Sequence, residues 1–119
     1  MNGLSYAYLG DAVFELEVRQ HLISTGMTRI NRLHKTAIKF TSAVAQSTAV
    51  KKILDELSEE ELRFYKLGRN SGARQAKKTA SMIDYKMATG LESLVGYLYL
   101  NNPERMKELV KKIIETVEV

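Results

Sequence analysis

A single proline in 119 residues, at position 103, and no stretch alternating cleanly at period two leave helices as the regular structure this chain can build. Apolar side chains recur at spacings of three and four instead. Leu4, Ala7, Tyr8, Ala12, Phe14 and Val18, continued by Leu22 and Ile23, predict a helix over 4–24 that Gly26 stops. A second helix is expected over about 30–54, with Leu33, Ala37, Phe40, Ala43, Val50 and Ile53 on its apolar side. A break is expected near Ser47-Thr48, where hydroxyls compete with the helix for backbone groups. Ser58-Glu59-Glu60-Glu61 has the form of a capping box and opens a third helix through Leu67. Gly68-Arg69-Asn70-Ser71-Gly72 reads as a loop by composition. A fourth helix should run from about Ala76 to Leu100, bent near Thr89-Gly90. Asn102 before Pro103 caps a last helix, with Met106, Leu109, Val110, Ile113 and Ile114 as its buried stripe. The expectation is an all-α single domain over 1–119, without repeat or linker.

The chain has no Cys, which excludes disulfides, thiolate metal sites and a thiol nucleophile. Its apolar runs are far short of the 18 or so residues that span a bilayer. Met1-Asn2-Gly3-Leu4 shows no basic region of a secretory leader, so a cytoplasmic protein without membrane contact is expected. The formal charge of +4 conceals a strong segregation. Residues 18–54 carry Arg19, Arg29, Arg32, Lys35, Lys39, Lys51 and Lys52 and no acid. Residues 62–86 carry seven bases against Asp84 alone. Blocks of this kind are either solvated helix faces or a polyanion footprint, in which Lys and Arg neutralise phosphates and release counterions.

Two acids stand in apolar helical segments. Asp11 lies within Leu4-Ser5-Tyr6-Ala7-Tyr8-Leu9-Gly10-Asp11-Ala12-Val13-Phe14, and Glu92 within Leu91-Glu92-Ser93-Leu94-Val95-Gly96-Tyr97-Leu98. Carboxylates are almost never fully buried unless paired. Each acid is therefore at the solvent rim of its helix, bonded to a buried donor, or bound to a cation. Each also has a nearby glycine, Gly10 or Gly96, and glycine lets two helices approach closely. Carboxylates brought together across such a contact repel, and a divalent cation relieves the repulsion. An acidic metal site beside a basic surface suits phosphodiester hydrolysis.

At these residues the sequence resembles a known family. Tyr8-Leu9-Gly10-Asp11-Ala12-Val13-Phe14-Glu15 is similar to the signature helix of the ribonuclease III catalytic domain, and 91–100 to its second acidic helix. His34-Lys35-Thr36-Ala37, Ser42-Ala43-Val44-Ala45-Gln46 and Gly68-Arg69-Asn70 resemble its small subclass, Mini-ribonuclease III. The likeness runs from Leu4 to about Leu109. It implies a helical catalytic domain acting as a two-fold homodimer that cleaves double-stranded RNA with Mg²⁺, leaving 5′-phosphate and 3′-hydroxyl ends. It implies Asp11 and Glu92 as catalytic metal ligands. Longer ribonuclease III enzymes carry further acids where this chain has Ala7 and Thr89, so one weakly held Mg²⁺ is expected, with more recruited by substrate phosphates.

The subclass implies maturation of large-subunit (23S) ribosomal RNA, and leaves room for a ribosomal protein that presents the substrate. No double-stranded-RNA-binding domain follows within the chain, so RNA contacts are expected from Arg69, Arg74, Lys77 and Lys78, with Lys35 beside them. Arg19, four residues after Glu15, reads as an intrahelical ion pair. Tyr6, Tyr8, Tyr97 and Tyr99 read as core or dimer-contact residues rather than base-stacking ones. The alternative to an enzyme is a catalytically silent domain of the same fold that binds structured RNA.

Overall fold

The structure is a computed structural model and describes residues 1–71 and 80–117. Six α-helices make up the described residues, and no strand occurs among them. They are α1 (Gly3–Ser24), α2 (Ile30–Thr41), α3 (Ala43–Ile53), α4 (Glu59–Arg69), α5 (Ala80–Asn101) and α6 (Pro103–Thr116), with one 3₁₀ turn at Leu54–Glu56. The all-α expectation holds.

Helix α5 is the axis of the domain. Ala88, Leu91, Leu94, Val95 and Leu98 are all buried, and α1, α3, α4 and α6 each pack against it. A helix apolar around most of its circumference must be enclosed in this way. The core continues through Phe14, Val18 and Leu22 of α1, Phe40 of α2, Val50 and Ile53 of α3, and the stripe on α6 that the sequence predicts. No described helix is long and apolar enough to cross a membrane.

Two expectations need correction. The break between the second and third apolar segments falls at Ser42, not at Ser47-Thr48. Ser42 takes an extended ψ of 154°, and its hydroxyl accepts a 3.2 Å bond from the Ala45 amide. Its hydroxyl thus serves as an N-cap, the role in which Ser competes best with the helix. Ser47 is instead fully buried inside α3, with its hydroxyl donating to the Met87 sulfur at 3.4 Å. The second correction concerns Gly68-Arg69, expected as loop but forming the last two residues of α4. At Thr89-Gly90 the helix α5 continues without interruption. Gly90 is there for packing: a Cβ would stand 2.7 Å from the ring of Tyr65 on α4. Residues 76–79, expected in this helix, lie outside the described residues.

The capping box forms as expected, with Ser58 and Glu61 exchanging bonds of 2.9 and 3.1 Å. Glu61 has a second task. Arg105 of α6 donates to it through Nε at 2.8 Å and Nη2 at 3.1 Å, and Nη2 also reaches the Glu56 carbonyl. The bond to Arg105 holds the Glu61 carboxyl below the usual range, against the opposing pull of burial. A depressed carboxylate contributes stability above its unfolded pKa and loses it as pH falls through the folded value. Arg105→Ala is expected to cost about 2–3 kcal/mol at pH 7, somewhat below the loss for a fully enclosed pair because the guanidinium is partly exposed. The deficit should shrink in acid, where Glu61 becomes neutral. Urea unfolding at pH 7 and at pH 3 checks both signs, and a deficit that grows in acid contradicts this account.

Candidate active site

Helices α1 and α5 form the most extensive pairing in the described fold. Their backbones touch because of two glycines. A Cβ on Gly10 would stand 1.7 Å from the Glu92 carbonyl oxygen, and one on Gly96 would stand 2.0 Å from the Tyr6 carbonyl oxygen. No side chain fits in either place. Asp11 follows Gly10 directly, so the contact that seats α1 on α5 also carries Asp11 to Glu92.

The two acids face one cavity of about 420 Å³. Asp11 is exposed at its mouth, and Glu92 is half-buried against the wall. Their carboxyl groups are within hydrogen-bond reach of each other. Burial, then the charge of Asp11, pushes the Glu92 carboxyl up to about 8. The neighbouring Gln46 side chain opposes that rise. Gln46 is 2% exposed and belongs to α3, whose first residue, Ala43, also lines the cavity. The Ser42 break therefore brings the start of α3 to the acids. Ala7 and Thr89 line the cavity too, one turn from Asp11 and Glu92 on the same helix faces.

Gln46 is the site residue that sequence reasoning did not assign a role. Its signal was a long amide in a run of Ala and Val, and a buried amide needs a partner. The other expected site residues lie elsewhere. Lys35 is exposed on α2 and does not line the cavity. Arg69 ends α4, with its Nε donating to the Asn70 side-chain oxygen at 3.2 Å and its guanidinium 5.8 Å from the Tyr65 ring centroid. Arg74, Lys77 and Lys78 lie outside the described residues.

The tyrosines divide. Tyr97 stacks on Phe64 with Tyr6 edge-on to both, and its hydroxyl donates to Glu60 at 2.7 Å, so Tyr6 and Tyr97 are packing residues. Tyr8 is 85% exposed and lines the cavity beside Asp11. Tyr99 is exposed as well, at the far end of α5. The expected Glu15–Arg19 pair forms at 3.2 Å.

Comparison with known proteins agrees with this architecture. The family model described as the ribonuclease III domain matches residues 4–103. The Mini-ribonuclease 3 of Clostridium tetani is 46% identical over 99% of this chain and 80% of its own length. That of Streptococcus pneumoniae is 42% identical over 99% of this chain and 94% of its own. A crystal structure of a Fusobacterium nucleatum protein superposes with a TM-score of 0.83 at 33% identity, covering 98% of this chain and 93% of that one. With the family model spanning nearly all of α1 and the whole of α2 to α5, and these two relatives matched over 80% and 94% of their own lengths, the chain belongs to the ribonuclease III family, as an endoribonuclease of the Mini-ribonuclease 3 type.

Proposed function

We propose that Asp11 and Glu92 hold Mg²⁺ and that the protein uses it to hydrolyse phosphodiester bonds in double-stranded RNA, leaving 5′-phosphate and 3′-hydroxyl ends. The observation that carries this reading is the meeting of the two carboxyl groups in one open cavity. The donor set fits the ion. Two carboxylates and a neighbouring amide are hard oxygen ligands, and Mg²⁺ commonly uses one or two carboxylates together with substrate phosphates. Burial, and then the nearby charge of Asp11, oppose ionisation of Glu92, and a bound dication would favour it. When bound, such an ion acidifies water and neutralises charge on a leaving oxygen.

The chain's own residues supply position. Gln46 stands beside Glu92 in the cavity wall, Gly10 and Gly96 fix the spacing of the two acids, and the exposed Asp11 meets the incoming phosphate side. Ala7 and Thr89 offer no carboxylate, so the ion is held weakly without RNA. Arg69, Arg74, Lys77 and Lys78 are the proposed duplex contacts, a charge pattern suited to reading A-form RNA by its phosphates and 2′-hydroxyls. The exposed apolar side chains of Leu4 and Tyr8, at the rim of the cavity, support a two-fold homodimer formed along α1. The family likeness supports precursor large-subunit ribosomal RNA as the substrate, in the cytoplasm, with a ribosomal protein as a candidate presenter.

The test is a labelled RNA duplex incubated with the protein in Mg²⁺ or in EDTA, alongside a single strand of the same sequence. Metal-dependent cuts confined to the duplex are expected. Retention of the duplex without cuts in Mg²⁺ would instead identify a silent RNA-binding domain.

A further inference from the structure

The longest acid-free stretch of the sequence folds into a surface that the cavity does not use. Arg32, Lys35 and Lys39 project from one face of α2, at spacings of three and four residues, and all three are exposed. Lys39 lines a shallow groove together with Thr48 and Lys52 of α3 and with Thr116 and Val117 at the C-terminal end of α6. Among the described residues, no carboxylate lies within ion-pair distance of any of these four bases. They form a basic track that crosses from one helix to the next.

The track is turned away from Asp11 and Glu92. Thr41 of α2 lines the catalytic cavity, and helical geometry sets Lys39 roughly 160° around the helix from it. On α3, Lys52 is roughly 120° around from Gln46. The groove and the cavity share no lining residue. A single straight duplex seated on the acids has its backbone on the cavity side of both helices. The track faces a different direction.

We propose that this track binds the phosphate backbone of a second helical segment of the same RNA, so that the preferred substrate is a branched, folded RNA rather than a simple duplex. The inference rests on the RNA-cleaving reading of the cavity. Its partner follows from charge: four exposed bases, with no carboxylate within ion-pair distance among the described residues, match a continuous polyanion. An acidic protein surface offers carboxylates interspersed with other groups.

The experiment uses two RNAs that share one cleavable duplex, the second carrying an additional helical arm through a junction. The triple variant Arg32→Ala/Lys39→Ala/Lys52→Ala should cut the plain duplex as the parent does. On the branched RNA it should lose about tenfold in kcat/KM through KM, and the slope of log affinity against log salt should flatten by about two to three. Binding of both RNAs is also measured in EDTA, so the track is tested without any cleavage. A parent that cuts neither RNA but binds the branched one through the track defeats the nuclease reading alone. Equal losses on both RNAs, or parent-like behaviour on both, overturn the track proposal; the second outcome is also the one an acidic protein partner would give.

Discussion

Gly10→Ala is expected to lower stability by about 3 kcal/mol or more and to remove cleavage with it. The added methyl would stand 1.7 Å from the Glu92 carbonyl oxygen, which is backbone and cannot rotate away. Relief requires α1 and α5 to separate along their whole contact. Propensity pulls the other way, because Ala in a helix interior is favoured over Gly by about 0.5–1 kcal/mol. A net loss therefore measures the overlap against an intrinsic gain. Gly96→Ala should behave alike, since its Cβ would stand 2.0 Å from the Tyr6 carbonyl oxygen.

The control is Gly26→Ala, in the turn after α1. Gly26 has a φ of +94°, and a Cβ there meets nothing within 4 Å. Only backbone strain is at stake, roughly 1–2 kcal/mol, with cleavage retained. Thermal unfolding of the three variants checks the order, and a Gly10→Ala protein as stable as the parent would show that the α1–α5 contact is looser than described.

The same pair of helices explains what could be read from the sequence. Asp11 and Glu92 were visible because each interrupts an apolar helical run, and Gly10 and Gly96 because glycine is unfavourable mid-helix unless something close requires it. Those four residues carry local signals of a long-range contact. Ser42 carried none: nothing nearby distinguishes it from Ser47, and which hydroxyl caps a helix depends on where the chain must turn to cover α5. Gln46 offered only a long amide among Ala and Val, since the partner of a buried amide is set by tertiary packing. The basic stretch from 18 to 54 was plain as composition. Its direction was not, because the angle between Lys39 and Thr41 matters only once α2 has been placed against the cavity.

Asp11→Asn and Glu92→Gln should each reduce cleavage of duplex RNA by roughly three to four orders of magnitude in saturating Mg²⁺, the equivalent of several kcal/mol of lost charge stabilisation. Both replacements keep the shape of the side chain, so the α1–α5 contact persists and duplex binding in EDTA should remain near that of the parent. The two variants part company in stability. Glu92 is the more enclosed acid, and burial together with Asp11 opposes its charge. Replacing it with a neutral amide of the same shape removes a penalty from the metal-free fold. Glu92→Gln should therefore melt higher than the parent without metal, while Asp11→Asn, altering an exposed group, shifts the melt less. Added Mg²⁺ should raise the melting temperature of the parent and of neither variant, because binding to the native state alone stabilises it. Higher stability together with lost activity is the pattern a functional carboxylate pair produces. A structural pair would give the reverse, a lower melt in both variants with cleavage falling only as far as the folded fraction falls.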